Sequence, residues 1–566
     1  MEKPIIFVCI SYDTLWDDFD SIKIKEFASQ LPYASAIKFI AKKINSVYYS
    51  FGDGEQQKND LFELRLYIKD DDEALSRFDA FIANQAHPYL YSNESALRFY
   101  QLLLQCGDKI NPERELTVSE IGKVLKIYLY CNKVWLDQQQ DKMAGLDYTS
   151  LSIKVDLPYA EFKYHKDFKS ALYKSWFFFD YCEQDKKLRP FIQQLLKERN
   201  VSSYSEYIIH LFLFYCDSIQ SPIIKKQQDA FSSFFSIYVV ENTSCSKIWD
   251  DGLKGLSYLR DHFLLETSDG KYVLLNPGML IDKMYQGVIF DLWKVIEEHQ
   301  DSQNPTFKSF PDYKSYLGDD FSEHYLFYDV IRHCFDYSDL VCFSGEELKN
   351  RRVKAEPDFY IRKDNFIFLF EYKDLIFPDR DKYSNDINII KATIFDRICK
   401  DDGIKKRKGG GQLLETIDHI VNSHSMDNID RPHEDTDLFF PIIVTTDKVF
   451  DALGVNAIVV GEFVRLYKVY HAGLKSHVGA PIIINLDNLI DLMYRLHMGA
   501  LKLSDLLKDY SSQFTKKDIS LHQRSFDTYI RELDKNHLIS EAENHYLFKD
   551  LLSKFNNELG IGENSK

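Results

Sequence analysis

Apolar residues follow two different spacings along this chain, and the change from one to the other divides it. From Ser95 onward they recur every three or four positions in SALRFYQLLLQC (95–106), GKVLKIYLYCNKVWL (122–136), FIQQLLKERN (191–200) and YSEYIIHLFLFYC (204–216). That spacing puts them on one face of a helix and predicts a mainly helical first half. Three runs in this half read instead as strands: PIIFVCI (4–10), LFELRLYIK (61–69), and KYVLLNP (271–277), the last reached through the turn Ser268-Asp269-Gly270. No fixed-period repeat, low-complexity tract or chemical motif stands out here.

A polar, proline-punctuated stretch, EEHQDSQNPTFKSFPDYKS (297–315), marks a boundary near residue 305. Beyond it a helix, FSEHYLFYDVIRHCF (321–335), precedes strand-like DLVCFSG (339–345), AEPDFYI (355–361) and FIFLFEYKDLIF (366–377). A helix, GQLLETIDHIVNSH (411–424), a strand, FFPIIVTTD (439–447), and a further strand, APIIINL (480–486), come next, with helical segments to the C-terminus. The order predicts a multidomain α+β or α/β chain. Its parts would be a mainly helical regulatory or targeting region over 1–305, a mixed-sheet domain over 306–490 and a helical extension over 491–566.

Composition narrows the chemistry. The 566 residues exceed what one hydrophobic core supports, and 15% are aromatic, enough for large cores. The formal charge of −17 excludes a surface that coats nucleic acid everywhere, so any such contact must be a local basic patch. Nine scattered cysteines without a CxxC pair fit free thiols in a reducing compartment. The N-terminus reads as a first strand and not a signal peptide, and the longest apolar stretch, near Tyr207 to Cys216, is too short to span a bilayer. These features predict a cytoplasmic protein without membrane contact. Walker, Rossmann and HExxH motifs are absent. The tandem aromatics Trp176 to Phe179 read as core packing.

The candidate chemistry lies where an apolar strand becomes charged. In FIFLFEYKD, strand alternation puts Glu371 and Lys373 on one face and Tyr372 on the other. With Arg362 to Asn365 as a four-residue turn, the preceding strand brings Glu356 opposite Glu371, and Asp358 one same-face pair nearer the turn. Carboxylates gathered on a buried face call for a neutralising cation, and Mg²⁺ takes hard oxygen ligands while keeping several waters.

Pro357-Asp358 followed by Glu371-Tyr372-Lys373 resembles the PD-(D/E)xK nuclease superfamily, over roughly residues 315–450, about a quarter of the chain. The resemblance implies a restriction-endonuclease-like core in which Asp358 and Glu371 bind Mg²⁺ or Mn²⁺ and Lys373 serves the attacking water. It also suggests a metal role for Glu323, an acid within the apolar arc of Leu326, Phe327, Val330, Ile331 and Cys334, with Tyr325, Tyr328 and Arg332 outside that arc. Gln412, at the start of the 411–424 helix, is the candidate for a glutamine near the lysine. A basic, glycine-rich loop carrying Lys405, Lys406, Arg407 and Lys408 is a candidate phosphate contact, as are Arg351 and Arg352 ahead of Asp358. The expected activity is metal-dependent endonuclease cleavage, of DNA ahead of RNA, in a controlled prokaryotic anti-phage or restriction-like system, with a regulatory protein partner or self-association. The alternative is a nuclease-derived fold that binds nucleic acid or a protein without cutting.

Overall fold

Six consecutive residues, Ile367 to Tyr372, are all buried, which requires a strand covered on both faces. In the computed structural model that strand lies at the middle of a six-stranded mixed sheet. The structure describes residues 7–18, 20–50, 54–85, 87–110, 113–140, 145–160, 167–225, 230–241, 256–335, 340–384, 386–403, 407–472, 474, 477–533 and 540–558. The chain is mixed α/β and forms two compact units.

The first unit comprises Met1–Met143, Phe162–Ser175 and Asp185–His299. The helices expected from periodicity are present at Asn93–Cys106, Val118–Gln140, Arg189–Glu198 and Tyr204–Gln220. Strand β1 (Phe7–Cys9) pairs in parallel with β2 (His87–Tyr89). Strands β3 (Ile223–Lys225), β4 (Leu264–Glu266) and β5 (Lys271–Leu274) form an antiparallel sheet, with β5 central and Gly270 at φ +70° in the turn before it. LFELRLYIK is not the expected strand: it belongs to the helix Gly54–Tyr67 and the residues just beyond. Its buried residues are Leu61, Leu64 and Ile68, a helical spacing, while Phe62 and Leu66 are 62% and 51% exposed.

The second unit comprises Ala144–Glu161, Trp176–Gln184 and Gln300–Lys566, so residues 491–566 join the sheet unit instead of forming a separate extension. Strands β6 (Val341–Ser344), β7 (Phe359–Lys363) and β8 (Phe366–Lys373) form an antiparallel meander. A small hairpin, β9 (Cys399–Asp401) with β10 (Arg407–Gly409), stands apart from the sheet. Strand β11 (Leu438–Thr445) returns parallel to β8, and β12 (His477–Val478) and β13 (Ile482–Asn485) pair in parallel with its other edge.

Helices cover this sheet by ordinary amphipathic burial. The helix Gly410–Asn422 turns Leu413, Leu414, Ile417 and Ile420 inward and packs against β8 and β11. The segment 317–334 packs Phe327 onto Tyr372, rings stacked with centroids 4.6 Å apart. Phe178 meets Phe321 edge-on at 5.5 Å, so the tandem aromatics do serve the core. Among the described residues every cysteine is free, and no helix is long and apolar enough to cross a membrane.

Candidate active site

The β7–β8 hairpin is tighter than its sequence suggests. Lys363 pairs with Phe366, leaving a two-residue turn, Asp364-Asn365, with Asp364 at φ +54°. Aspartate tolerates this left-handed region, and Arg362, ion-paired with Asp430, is held within the strand. The four-residue turn over 362–365 is therefore corrected, and the register moves by two. Phe359 pairs with Phe370, so the next pair outward sets Asp358, and not Glu356, opposite Glu371.

Asp358 sits just before β7, delivered by an unusual approach. Ala355 holds φ +54°, a conformation that costs a residue with a Cβ about 1 kcal/mol. Thr416 of the Gly410–Asn422 helix braces the turn, its hydroxyl donating to the Ala355 carbonyl at 2.7 Å. Gly345 N–H donates to the Asp358 carbonyl at 2.8 Å, and a Cβ on Gly345 would lie 3.0 Å from the Pro357 carbonyl oxygen. The Asp358 carboxylate accepts the Tyr372 N–H at 2.6 Å, tying it to the β8 backbone between Glu371 and Lys373.

Glu371 is 1% exposed and accepts a hydrogen bond from Lys373 Nζ at 2.5 Å. Burial, reinforced by the Asp358 carboxylate, raises its proton affinity against the opposing pull of Lys373. Burial raises Asp358 too, opposed by Lys373, the Tyr372 N–H and His324. Lys373 is moved upward: burial disfavours its charge, but Glu371, Asp358 and Glu323 outweigh it. One ammonium thus faces three carboxylates, and each of these acids binds a proton more tightly than usual.

Glu323 joins them through a backbone feature absent from the expected helix. Leu317–Phe327 is a π-helix, continuing as an α-helix over Tyr328–Cys334. Tyr328 N–H donates to the Glu323 carbonyl, an i→i+5 bond that brings these two residues over one another. Tyr328 Oη then donates to Glu323 Oε1 at 3.1 Å. Tyr328 is consequently buried, not outside the apolar arc as α-helical geometry places it. Burial first, then the Asp358 charge, pushes Glu323 up to about 7. His324 Nε2 stands 3.6 Å from the same carboxylate.

Gln412 caps its own helix, Oε1 accepting the Gly409 N–H at 3.0 Å. Arg407 lies in β10 and is paired with Asp401 at 3.2 Å and Glu415 at 2.7 Å, while Lys408 reaches Asp396 at 3.4 Å. Residues 407–409 are thus a strand and not part of a loose loop; Lys405 and Lys406 lie outside the described residues. The glycine run is explained by close packing: a Cβ on Gly409 would fall 2.1 Å from the Ile398 carbonyl oxygen, and one on Gly411 2.1 Å from that of Lys400. Arg351 and Arg352 are exposed, Arg351 lying over the Phe343 ring at 4.7 Å.

Sequence reasoning passed over Asp374, the residue after Lys373. It points to the Tyr372 side of β8, where its carboxylate pairs with Lys314 and accepts from Thr446 Oγ1 at 2.8 Å and from Ser322. Burial alone would raise it, but these partners hold it below the usual carboxylate range. Thr445 also went unremarked; it is the in-register neighbour of Lys373. An acid continuing the ExK pattern on the opposite face was the available signal for Asp374.

Asp358 and Glu371 offer hard carboxylate oxygens in a buried place with excess negative charge, a donor set that fits Mg²⁺ or Mn²⁺. Among the described residues no three His, Cys, Asp or Glu side chains form a ready-made metal cluster, so the remaining ligands would be backbone, water or substrate oxygens. Compared with known proteins, the chain matches no family model, no curated protein and no solved structure.

Proposed function

We propose that this chain is a metal-dependent endonuclease with a restriction-endonuclease-like core, hydrolysing phosphodiester bonds of DNA ahead of RNA. The observation that carries the reading is the convergence of Asp358, Glu371 and Glu323 on Lys373, with all three acids holding protons more tightly than usual. Perturbed carboxylates beside a lysine on a central strand are costly to fold and suit a catalytic site.

In this reading Asp358 and Glu371 hold the divalent ion, with Glu323 completing its surroundings. When bound, the ion lowers the pKa of a water and offsets charge building on the scissile phosphate. Asp358 is aimed by the Tyr372 N–H, and Glu371 by Lys373. Lys373 keeps its proton at neutral pH, so Nζ donates to the attacking water or to a phosphate oxygen and orients it. Arg351 and Arg352 would meet the sugar-phosphate backbone ahead of Asp358. An acidic body with a large helical unit fits an enzyme under control, in an anti-phage or restriction-like role.

Lys373 already neutralises Glu371 through its 2.5 Å hydrogen bond, and this favours a second reading, a nuclease-derived module that binds without cutting. Purified protein is incubated with plasmid, linear duplex, single-stranded DNA and RNA, with Mg²⁺, Mn²⁺ or EDTA. Cleavage that needs the metal and disappears in Lys373→Ala supports the enzyme; retention of nucleic acid without cleavage selects the module.

A further inference from the structure

The last residues of β8, Glu371 to Lys373, and the following Asp374 alternate between two tasks. Glu371 and Lys373 face the carboxylate cluster, while Tyr372 and Asp374 face the π-helix. Tyr372 stacks on Phe327, and its hydroxyl lies 3.2 Å from Ser322 Oγ. Ser322, the residue before Glu323, is buried and also donates to Asp374. Asp374 gathers Lys314 from the preceding helix Phe310–Tyr316 and Thr446 from the end of β11. The backbone at Gly318, in the first turn of the π-helix, passes beside the same carboxylate, 3.9 Å from where a Cβ would stand.

The geometry points to Asp374, with Lys314, as positioning residues that lock the π-helix to the end of β8 and thereby set Glu323 beside Asp358 and Lys373. The reason lies in how π-helices behave. An i→i+5 ladder is rare and persists where surrounding contacts impose it. At Leu317–Phe327 those contacts are a buried charge-assisted hub, in which one carboxylate collects partners from a helix, a π-helix and a strand end. Removing one partner from such a hub leaves a buried group unsatisfied, so the effect should concentrate on the elements it joins. The catalytic part of this role rests on the proposed nuclease reading; the structural part does not.

Hydrogen exchange followed by mass spectrometry on the full chain separates the two. Asp374→Asn and Lys314→Met should speed exchange about tenfold in peptides spanning Leu317–Phe327 while leaving peptides of the far edge strand β6 unchanged, and Lys314→Arg should keep the wild-type pattern. Unchanged exchange over 317–327, or equal acceleration there and in β6, would overturn the proposal. Should Asp374→Asn not fold, Lys314→Met and Thr446→Val each remove one partner and carry the same test. In cleavage assays Asp374→Asn should lower kcat without raising KM and add no further loss in a Glu323→Gln background; additive losses would remove the route through Glu323. If wild type cuts nothing, the nuclease reading falls, and the exchange data still decide whether Asp374 locks the π-helix.

Discussion

Asp358, Glu371 and Lys373 make opposite demands on the fold when no metal is present. Each acid adds charge to a buried cluster that already has too much, whereas the lysine offsets it. Asp358→Asn and Glu371→Gln, which keep the acceptors for Tyr372 N–H and Lys373 Nζ, should therefore match or exceed wild type in melting temperature in EDTA. Lys373→Ala should lose on the order of 3 kcal/mol, the usual cost of stranding a buried charge, read by denaturant titration. An exposed Glu-Lys pair would show little effect in either direction. The same charges set the pH dependence. Because Glu323 titrates near 7 when folded against an ordinary 4.5, the folded chain binds the extra proton more tightly. Stability from this source is present at acid pH and falls as pH rises from about 4.5 to about 7. Asp374, held low, acts the other way, and its contribution disappears only as pH drops below 3.8. Glu371, pushed up to about 8, and Asp358, also raised, act in the same direction as Glu323, so unfolding free energy in EDTA should decline between about pH 5 and about pH 8 and decline less steeply in Glu323→Gln.

The elements that present these residues were unevenly legible. Strand alternation alone sufficed to put Glu371 and Lys373 on one face, and the apolar flanks of β8 announced a central strand. The hairpin register was not legible, because it depended on Asp364 accepting a left-handed conformation and on Asp430 keeping Arg362 in the strand. The π-helix was hidden for a similar reason: contacts distant in sequence impose it, and no local pattern encodes an i→i+5 ladder. LFELRLYIK admitted both periods, and burial of Leu61, Leu64 and Ile68 decided for the helix. In the glycine run, composition suggested a phosphate loop where close packing of the β9–β10 hairpin is the cause. Gly411→Ala should test that cause, lowering stability by several kcal/mol as measured by melting, since its Cβ would meet backbone at 2.1 Å. Replacing Lys405, Lys406, Arg407 and Lys408 together with Ser should flatten the dependence of log affinity on log salt for duplex DNA. Arg407→Ser alone should leave that slope unchanged and lower stability, because Asp401 and Glu415 already occupy its guanidinium.

At the level of the chain, the proposed nuclease would have to bring a polyanion to an acid-rich site on a body of net charge −17. Two things would reconcile them: the exposed Arg351 and Arg352, which precede Asp358 in the chain, and a divalent ion that reverses the sign within the site. The ion is thus the hinge of the account, because it is what makes three carboxylates and a phosphate compatible. Isothermal titration of Mn²⁺ into the full-length protein addresses this directly. Wild type should bind the ion, with affinity rising as pH increases and protons leave the acids, and should melt at higher temperature once loaded. Glu371→Gln and Asp358→Asn should bind weakly or not at all, while Lys373→Ala should still bind. Wild-type protein that takes up no Mn²⁺ and shows no metal-linked change in melting, or equal binding by wild type and both acid variants, would contradict the account.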